Sequence, residues 1–351
     1  MATHFNGKGW PPKKDEAEGG HRARRTTAAA LFALAGLTVN PENVLAAGSI
    51  DDVLSAVVGV TAEIPADARS AVTLGTQRQG NGVVIDSDGL VLTIGYLIME
   101  STKTTITAPD GRSIPADFVG YDYETGFGLV RAREKLGVKP LALGTAAALK
   151  EKTPVLIAGY GGREAALGAF VVSRREFAGY WEYLLDNAIF TAPIYERFGG
   201  AALIDAEGKL VGIGSLAVGD AAGPDPQLPG NMFVPIDILK PILADLLEKG
   251  RPSTPPKPWL GVITREANGR LYVLDVSADG PAARAGLKRG DILLSVAGKA
   301  ISGQADFYKK LWATGPAGTR IELSLLHERE VKTVTVGSID RYDWMKTATR
   351  H

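Results

Sequence analysis

Histidine and cysteine, the side chains that most often serve as base and nucleophile at neutral pH, are nearly absent from this chain. The four histidines are His4, His21, His327 and His351, and there is no cysteine. Residues 22–326 therefore contain no imidazole that could activate a serine hydroxyl, and thiolate chemistry and disulfides are excluded. Ser173, Ser215 or Thr191 would need a lysine as base, and nothing in their spacing supports such a pair.

The composition describes a globular, electrically balanced protein. The chain has 351 residues, of which 45% are hydrophobic, enough for two domains. Lys plus Arg and Asp plus Glu both number 39, so nothing favours nucleic acid as a partner. Asp86 and Asp88 lack the further ligands of a calcium loop, and the glycines of 159–162 lack a following Lys-Ser/Thr. We expect neither a metal nor a cofactor.

The first 47 residues are interpreted as a leader. A basic, polar segment precedes an uncharged stretch from Thr26 to Val39, and small residues follow it up to Ala47. This pattern predicts export to the periplasm or beyond, with cleavage near Ala46 or Ala47 or with an uncleaved leader as a membrane anchor. The pair Arg24-Arg25 suggests the twin-arginine route, although ordinary secretion and a buried helix are the alternatives.

Short β-rich runs separated by Gly, Asp and Pro turns fill the middle of the chain. The runs are 82–85, 90–93, 104–108, 154–158, 169–172, 188–192 and 210–213. Their spacing predicts an all-β barrel or sandwich, with hairpin turns at 86–89 and 109–111. An amphipathic helix is expected from Ile236 to Leu247, ended by Gly250.

These signals divide the chain into five parts. The proline-rich segment 251–258 cannot form regular hydrogen-bonded structure and is predicted to be a linker. We therefore expect a leader over 1–47, a β-domain over 48–250, the linker, a second domain over 259–338, and a tail over 339–351.

Four segments of the β-domain carry a recognisable set of motifs. They are Gly-Asn-Gly-Val-Val-Ile at 80–85, Thr-Ile-Gly-Tyr-Leu-Ile at 93–98, Asp-Tyr-Glu-Thr-Gly-Phe-Gly-Leu at 122–129, and the glycine-containing loop at 197–203. Together with 230–236 they resemble the HtrA (DegP-like) serine peptidases. The resemblance implies a trypsin-like double β-barrel.

The same resemblance locates three catalytic positions, and none of them holds a catalytic residue. Tyr96 occupies the position of the family's histidine, and Gly126 that of its aspartate. Gly199 occupies the serine position, or Phe198 if the register slips by one residue. Tyrosine is a poor base because its pKa is about 10, and glycine offers neither a carboxylate nor a hydroxyl. Restoring the three side chains is expected to recover some hydrolysis if the oxyanion backbone is intact.

The second domain carries a signature at 280–293 that resembles bacterial PDZ domains. Trp259, Leu260, Gly261 and Val262 match the loop whose backbone N–H groups capture the terminal carboxylate of a peptide. The helix that contains Phe307 and Leu311 is expected to form the other wall of the groove. Packing of Trp259 and Phe307 in the core is about equally expected. His327 is expected at the surface or in a turn. Lys257 and Arg251 are expected either to add charge near the bound carboxylate or, equally, to be solvated.

The sequence therefore predicts an all-β-dominated, exported pseudoprotease that binds protein C-termini or extended peptides through its PDZ domain. The competing hypothesis is a serine endopeptidase of envelope protein quality control with a non-classical site. A third hypothesis is that the chain regulates an active HtrA paralogue by joining its oligomer, and a homo-oligomer is also considered.

Overall fold

The computed structural model describes residues 39–45, 50–224 and 227–345. Most of the predicted leader, including Thr26 to Thr38 and the cleavage region at Ala46 and Ala47, lies outside these ranges. Within them the secondary structure is dominated by β-strands, as the sequence predicts.

The first barrel begins with hairpins that form where turn residues separate buried β-branched runs. Its strands are β1 (Val57–Glu63), β2 (Gln77–Val84), β3 (Leu90–Ile94), β4 (Lys103–Thr107), β5 (Ser113–Tyr121) and β6 (Phe127–Ala132). They close in the order β1-β2-β3-β6-β5-β4. Every residue of β3 is buried, so its end is a rigid platform for the residues that follow. The short helices α1 (Ile50–Ser55) and α2 (Ala71–Leu74) flank β1.

The second barrel repeats this architecture. Its strands are β7 (Pro154–Ala158), β8 (Ala166–Gly179), β9 (Tyr183–Ala192), β10 (Ala202–Ile204), β11 (Leu210–Val218) and β12 (Gly230–Pro235), closed in the order β10-β11-β12-β9-β8-β7. Strands β8 and β9 are much longer than the predicted runs at 169–172 and 188–192. Their hairpin extends to the pair Gly179 and Tyr183, with residues 180–182 at its tip.

The third unit is an antiparallel sheet with a helix packed on it. Its strands are β13 (Val262–Ala267), β14 (Arg270–Val276), β15 (Ile292–Val296), β16 (Lys299–Ala300), β17 (Arg320–His327) and β18 (Glu330–Gly337). They are ordered β13-β14-β15-β17-β18, with β16 paired to β15. Helices α4 (Pro281–Arg284) and α5 (Gln304–Trp312) belong to this unit, and Tyr308 and Leu323 lie in its core.

The helix expected from Ile236 to Leu247 is interrupted. Ile236–Ile238 form a 3₁₀ turn, and α3 covers only Leu243–Lys249. Pro241 lies between the two segments, lacks an N–H donor and disfavours helical geometry in the residue before it. Gly250 ends α3 in the left-handed region at φ 78°, as predicted.

Residues assigned to the leader and the tail contact the folded body. Val39 pairs with Gly168 of β8, and Val44 is 3% exposed. At the other end, Ile339 pairs with Trp259, and α6 (Arg341–Trp344) follows. The folded region therefore extends beyond the predicted boundaries at residues 48 and 338.

Lys257 and Arg251 of the linker, for which solvation was one of two expectations, both form ion pairs. Lys257 forms an ion pair with Glu124 (2.9 Å) and lies over the ring of Trp312. Arg251 forms an ion pair with Asp340 (3.0 Å). Both cations therefore hold the linker against its neighbours.

Among the described residues, no helix combines the length and apolar character required to cross a bilayer. These residues also include no cluster of three acidic or histidine side chains placed to bind a metal ion.

Candidate functional site

Tyr96 stands at the position where the resemblance places a catalytic histidine. It lies in the 3₁₀ turn Gly95–Leu97, directly after β3. Its hydroxyl donates a hydrogen bond to the carbonyl oxygen of Ser215 (3.0 Å). Burial raises the pKa of the phenol above its ordinary value of 10, because the phenolate would lose its hydration. The side chain is thus a neutral donor and cannot take a proton from a nucleophile.

Gly199 faces Tyr96 across the interface of the two barrels. A Cβ atom added to Gly199 would lie 2.9 Å from the Tyr96 Oη atom. Phe198, the alternative in the slipped register, packs instead against the core of the second barrel. This geometry supports Gly199 as the serine-equivalent position, and its contact with Tyr96 leaves no room for a larger side chain.

Asn81 fixes the loop that carries Gly199. Its Nδ2 atom donates to the carbonyl oxygens of Arg197 (2.7 Å) and Gly199 (3.0 Å). Its Oδ1 atom accepts from the Tyr160 N–H (2.8 Å), and the side chain is buried. The loop is therefore tied to β2 by an amide that satisfies three buried backbone groups, a role that the sequence did not predict.

Gly126 is the third candidate catalytic position, but Tyr96 is not among the nearest neighbours of a Cβ atom added there. Its φ is +82°, in the left-handed region, and its carbonyl accepts a hydrogen bond from the Gly95 N–H (2.7 Å). The nearest atoms to an added Cβ would be Tyr183 Oη (3.4 Å) and Ile94 Cδ1 (3.5 Å). A carboxylate placed here would start from a left-handed backbone geometry and would face Tyr183 and Ile94 rather than Tyr96.

Within the described residues, no group that could act as a base is hydrogen-bonded to the other candidate nucleophiles. Ser173, Thr191 and Ser215 are all buried. Arg175, which is permanently charged and cannot act as a base, donates to Ser173 Oγ (2.9 Å). Thr191 Oγ1 has no hydrogen-bond partner within the described residues.

The backbone loop predicted to bind a carboxylate does hold one, and it belongs to this chain. The N–H groups of Leu260, Gly261 and Val262 donate to the carboxylate of Glu182, at 3.0, 2.7 and 2.9 Å. Gly261 has φ 76°, which lets successive amides converge on one point. We call these three amides the carboxylate nest. Sequence reasoning missed Glu182, because a glutamate in a turn is ordinarily solvated.

The other predicted groove residues lie inside the PDZ unit. Phe307 and Leu311 have no exposed surface and belong to its core, and Trp259 is 6% exposed. The helix residues that meet the docked hairpin through hydrogen bonds are Gln304 and Tyr308, which were not predicted. Phe307 and Leu311 are buried with the hairpin in place, and Tyr308 is a further helix residue that faces the hairpin.

His327 is not an isolated surface residue. Its Nδ1 atom lies 2.6 Å from Asp291 Oδ1, and Asp291 is almost fully buried. The pair joins the end of β17 to the segment before β15 and is remote in sequence from the nest.

Comparisons with known proteins agree with this architecture. Residues 80–213 match the trypsin-like peptidase domain, and residues 258–337 match the PDZ domain. The probable periplasmic serine endoprotease DegP-like protein of Halomonas elongata is 25% identical over 77% of this chain and 58% of its own length. Serine protease PepD of Mycobacterium tuberculosis is 27% identical over 78% and 62%. Periplasmic serine endoprotease DegP of Escherichia coli is 27% identical over 73% and 56%. The chain thus spans less than two thirds of the length of these relatives.

Solved structures share the fold. A variant of the HtrA-type protease AlgW with a tripeptide superposes with a TM-score of 0.51 at 20% identity, covering 83% of this chain and 97% of that one. A serine endoprotease from Yersinia pestis gives a TM-score of 0.50 at 22% identity, covering 84% and 98%. At these identities the likeness concerns the arrangement of the chain alone.

Proposed function

We propose that this chain, which joins a trypsin-like peptidase domain to a PDZ domain and is similar to HtrA (DegP-like) proteases, is a pseudoprotease that acts by binding proteins. The observation that carries the proposal is that Tyr96 Oη would lie 2.9 Å from a Cβ atom at Gly199. The two positions that would hold base and nucleophile face each other, and they hold a partly buried phenol and a glycine. The barrel keeps the architecture of the family without the groups that would transfer a proton or attack a carbonyl.

The PDZ domain is the element that we propose for binding. Its nest of backbone amides and the adjacent edge of β13 suit a carboxylate preceded by an extended segment. Peptide ligands are present in the AlgW structures of the same fold, which supports this class of ligand. We propose protein C-termini or extended peptides as partners, and an active HtrA paralogue is one such partner.

The relatives described as periplasmic support export of this chain. Their description as proteases also supports a rival proposal, an endopeptidase with a non-classical site. The buried positions of Ser173, Thr191 and Ser215 do not favour that rival, because a substrate carbonyl would have to reach a hydroxyl inside the barrel.

The first prediction is that the purified protein does not react with a fluorophosphonate serine probe and does not cleave casein. Loss of a complete triad costs roughly 10⁶-fold in rate, so both signals should fall below detection beside a catalytically intact HtrA protease. Stoichiometric labelling that disappears in Ser173→Ala or Ser215→Ala would overturn the pseudoprotease proposal. Casein cleavage that persists in every barrel variant would indicate a contaminating protease.

A further inference from the structure

The β8–β9 hairpin of the second barrel reaches into the PDZ unit. Strand pairing continues to Gly179 and Tyr183, and the tip consists of Tyr180, Trp181 and Glu182. Glu182 is 5% exposed and has φ 56°, a backbone conformation that is uncommon for a residue with a long side chain. Such a conformation persists only where surrounding contacts hold it.

The tip lies in the groove in the manner of a PDZ ligand. The Thr264 N–H of β13 donates to the Tyr180 carbonyl oxygen (2.9 Å), which is a strand-addition contact. Two residues later, Glu182 delivers its carboxylate to the nest. An extended peptide that ends in a free carboxylate presents the same two features in the same order. The side-chain carboxylate of Glu182 therefore stands in for a chain terminus.

The helix side of the groove also binds the hairpin. Tyr308 Oη donates to the Gly179 carbonyl oxygen (2.7 Å) and accepts from the Glu182 N–H (3.1 Å). Gln304 Nε2 donates to the same Gly179 carbonyl (2.7 Å). Ala178 and Leu184, on the two strands of the hairpin, pack against the PDZ core. Both walls of the groove are thus in contact with the hairpin.

We propose that the β8–β9 hairpin is an internal ligand that closes the PDZ groove, and that an external peptide binds by displacing Glu182 from the nest. The inference rests on the proposed peptide-binding function and adds a requirement to it: the partner must supply an ionised carboxylate after an extended segment. Only the undocked fraction of the protein can bind a partner. The apparent association constant therefore equals the intrinsic constant multiplied by that fraction.

The test measures binding of a fluorescent heptapeptide, Glu-Phe-Ala-Gly-Tyr-Trp-Val, which copies the hairpin strand and ends in a free carboxylate. The same peptide with a C-terminal amide is the ligand control. Glu182→Ala should bind the carboxylate peptide at least 10-fold more tightly than the unaltered chain, and the amide peptide should bind weakly to both. Glu330→Ala, which removes an exposed glutamate from β18, should leave the affinity unchanged.

Hydrogen exchange gives a readout that does not depend on the peptide. In the unaltered chain the Gly261 and Val262 amides should be protected, and they should exchange at least 10-fold faster in Glu182→Ala while β14 and β17 stay protected. If Glu182→Ala does not fold, Glu182→Gln replaces it in this measurement, because glutamine keeps an acceptor oxygen for the nest. Addition of the peptide to the unaltered chain should accelerate exchange at Tyr180 and Glu182, because the hairpin leaves the groove.

The outcomes separate this inference from the proposed function. Tight peptide binding by the unaltered chain with unchanged exchange at the hairpin would overturn the internal ligand and leave peptide binding standing. Faster exchange of the nest in Glu182→Ala without peptide binding by any form would support the internal ligand and overturn the proposed function. Equal affinity of the folded variants and the unaltered chain would overturn the displacement mechanism.

Docking of the hairpin should also depend on pH through Glu182. Burial raises the pKa of this carboxyl from about 4.5 to about 7, outweighing the three amides and the charge of Arg341, which favour ionisation. Tyr308, the other titratable group against it, stays neutral because burial raises its pKa to about 12. The docked hairpin therefore binds a proton more readily than the free hairpin, so docking weakens as the pH rises from 4.5 to 7 and is constant above 7.

Exchange of the Gly261 and Val262 amides, corrected for the intrinsic pH dependence of exchange, should therefore be at least 10-fold faster at pH 8 than at pH 5. In Glu182→Ala and Glu182→Gln the corrected exchange should depend little on pH. A pH dependence that is the same in the unaltered chain and in both variants would show that another group titrates.

Discussion

The triple variant Tyr96→His, Gly126→Asp, Gly199→Ser should remain without measurable protease activity, at least about 10⁴-fold below an intact HtrA protease. That factor is the loss caused by removing the orienting aspartate alone from a serine protease. The structure gives the reason: position 126 has φ +82°, and its Cβ would face Tyr183 and Ile94. A histidine at position 96 would therefore lack the carboxylate that fixes its tautomer and orientation.

Fluorophosphonate labelling and casein cleavage measure this outcome, with melting temperature as the check on folding. The single variant Gly199→Ser should be destabilised, because its Cβ would lie 2.9 Å from Tyr96 Oη, and Tyr96→His should relieve that contact. Stoichiometric labelling of the triple variant would contradict the prediction, since it would show that the backbone of the site is competent. The sequence alone suggested partial recovery of hydrolysis, and the geometry at Gly126 argues against it.

The second large effect is expected from Tyr308→Phe, which should lower the free energy of unfolding by about 2–4 kcal/mol. The change removes a fully buried hydroxyl that serves both the Gly179 carbonyl and the Glu182 N–H. Losing the partner of a buried polar group costs about 1–3 kcal/mol for each group left unsatisfied, and Gln304 compensates only at Gly179. Urea unfolding measures the loss.

The same substitution at Tyr272 is the matched control. Tyr272 lies on β14 and is partly buried, and its hydroxyl makes no hydrogen bond within the described residues, so Tyr272→Phe should change the stability by less than about 0.5 kcal/mol. Tyr308→Phe should also speed exchange of the Gly261 and Val262 amides, because the hairpin is held less firmly. A loss of stability without faster exchange at the nest would show that Tyr308 supports the fold but not the docking of the hairpin.

Local signals allowed much of the architecture to be predicted. Short apolar runs between turn residues predicted strands such as Leu90–Ile94 and Pro154–Ala158, and the structure confirms the all-β-dominated fold. The motif at 280–293 predicted the PDZ domain, which the comparison confirms. The helix after the second barrel was predicted too long, because the apolar spacing continues through Pro241 while the helical backbone does not.

Sequence reasoning could identify the residue types at the candidate catalytic positions but not the contacts that those residues make. Tyr96, Gly126 and Gly199 were assigned to these positions through the resemblance, and their residue types led to the prediction that base, carboxylate and nucleophile are missing there. The contact of Tyr96 with Ser215, the support of the loop by Asn81 and the left-handed backbone at Gly126 depend on strands far apart in sequence. No periodicity or turn signal encodes such contacts.

The sequence by itself determined that residues 22–326 hold no imidazole and that the chain holds no thiol, because no fold can supply a side chain that the sequence lacks. Its resemblance to PDZ domains also predicted a nest of backbone amides at 260–262, which the structure contains. Only the tertiary structure decided what the nest holds. Glu182 is separated from Gly261 by 79 positions, and it becomes a ligand only when β8 and β9 run past their barrel and place a buried carboxylate against three unpaired amides.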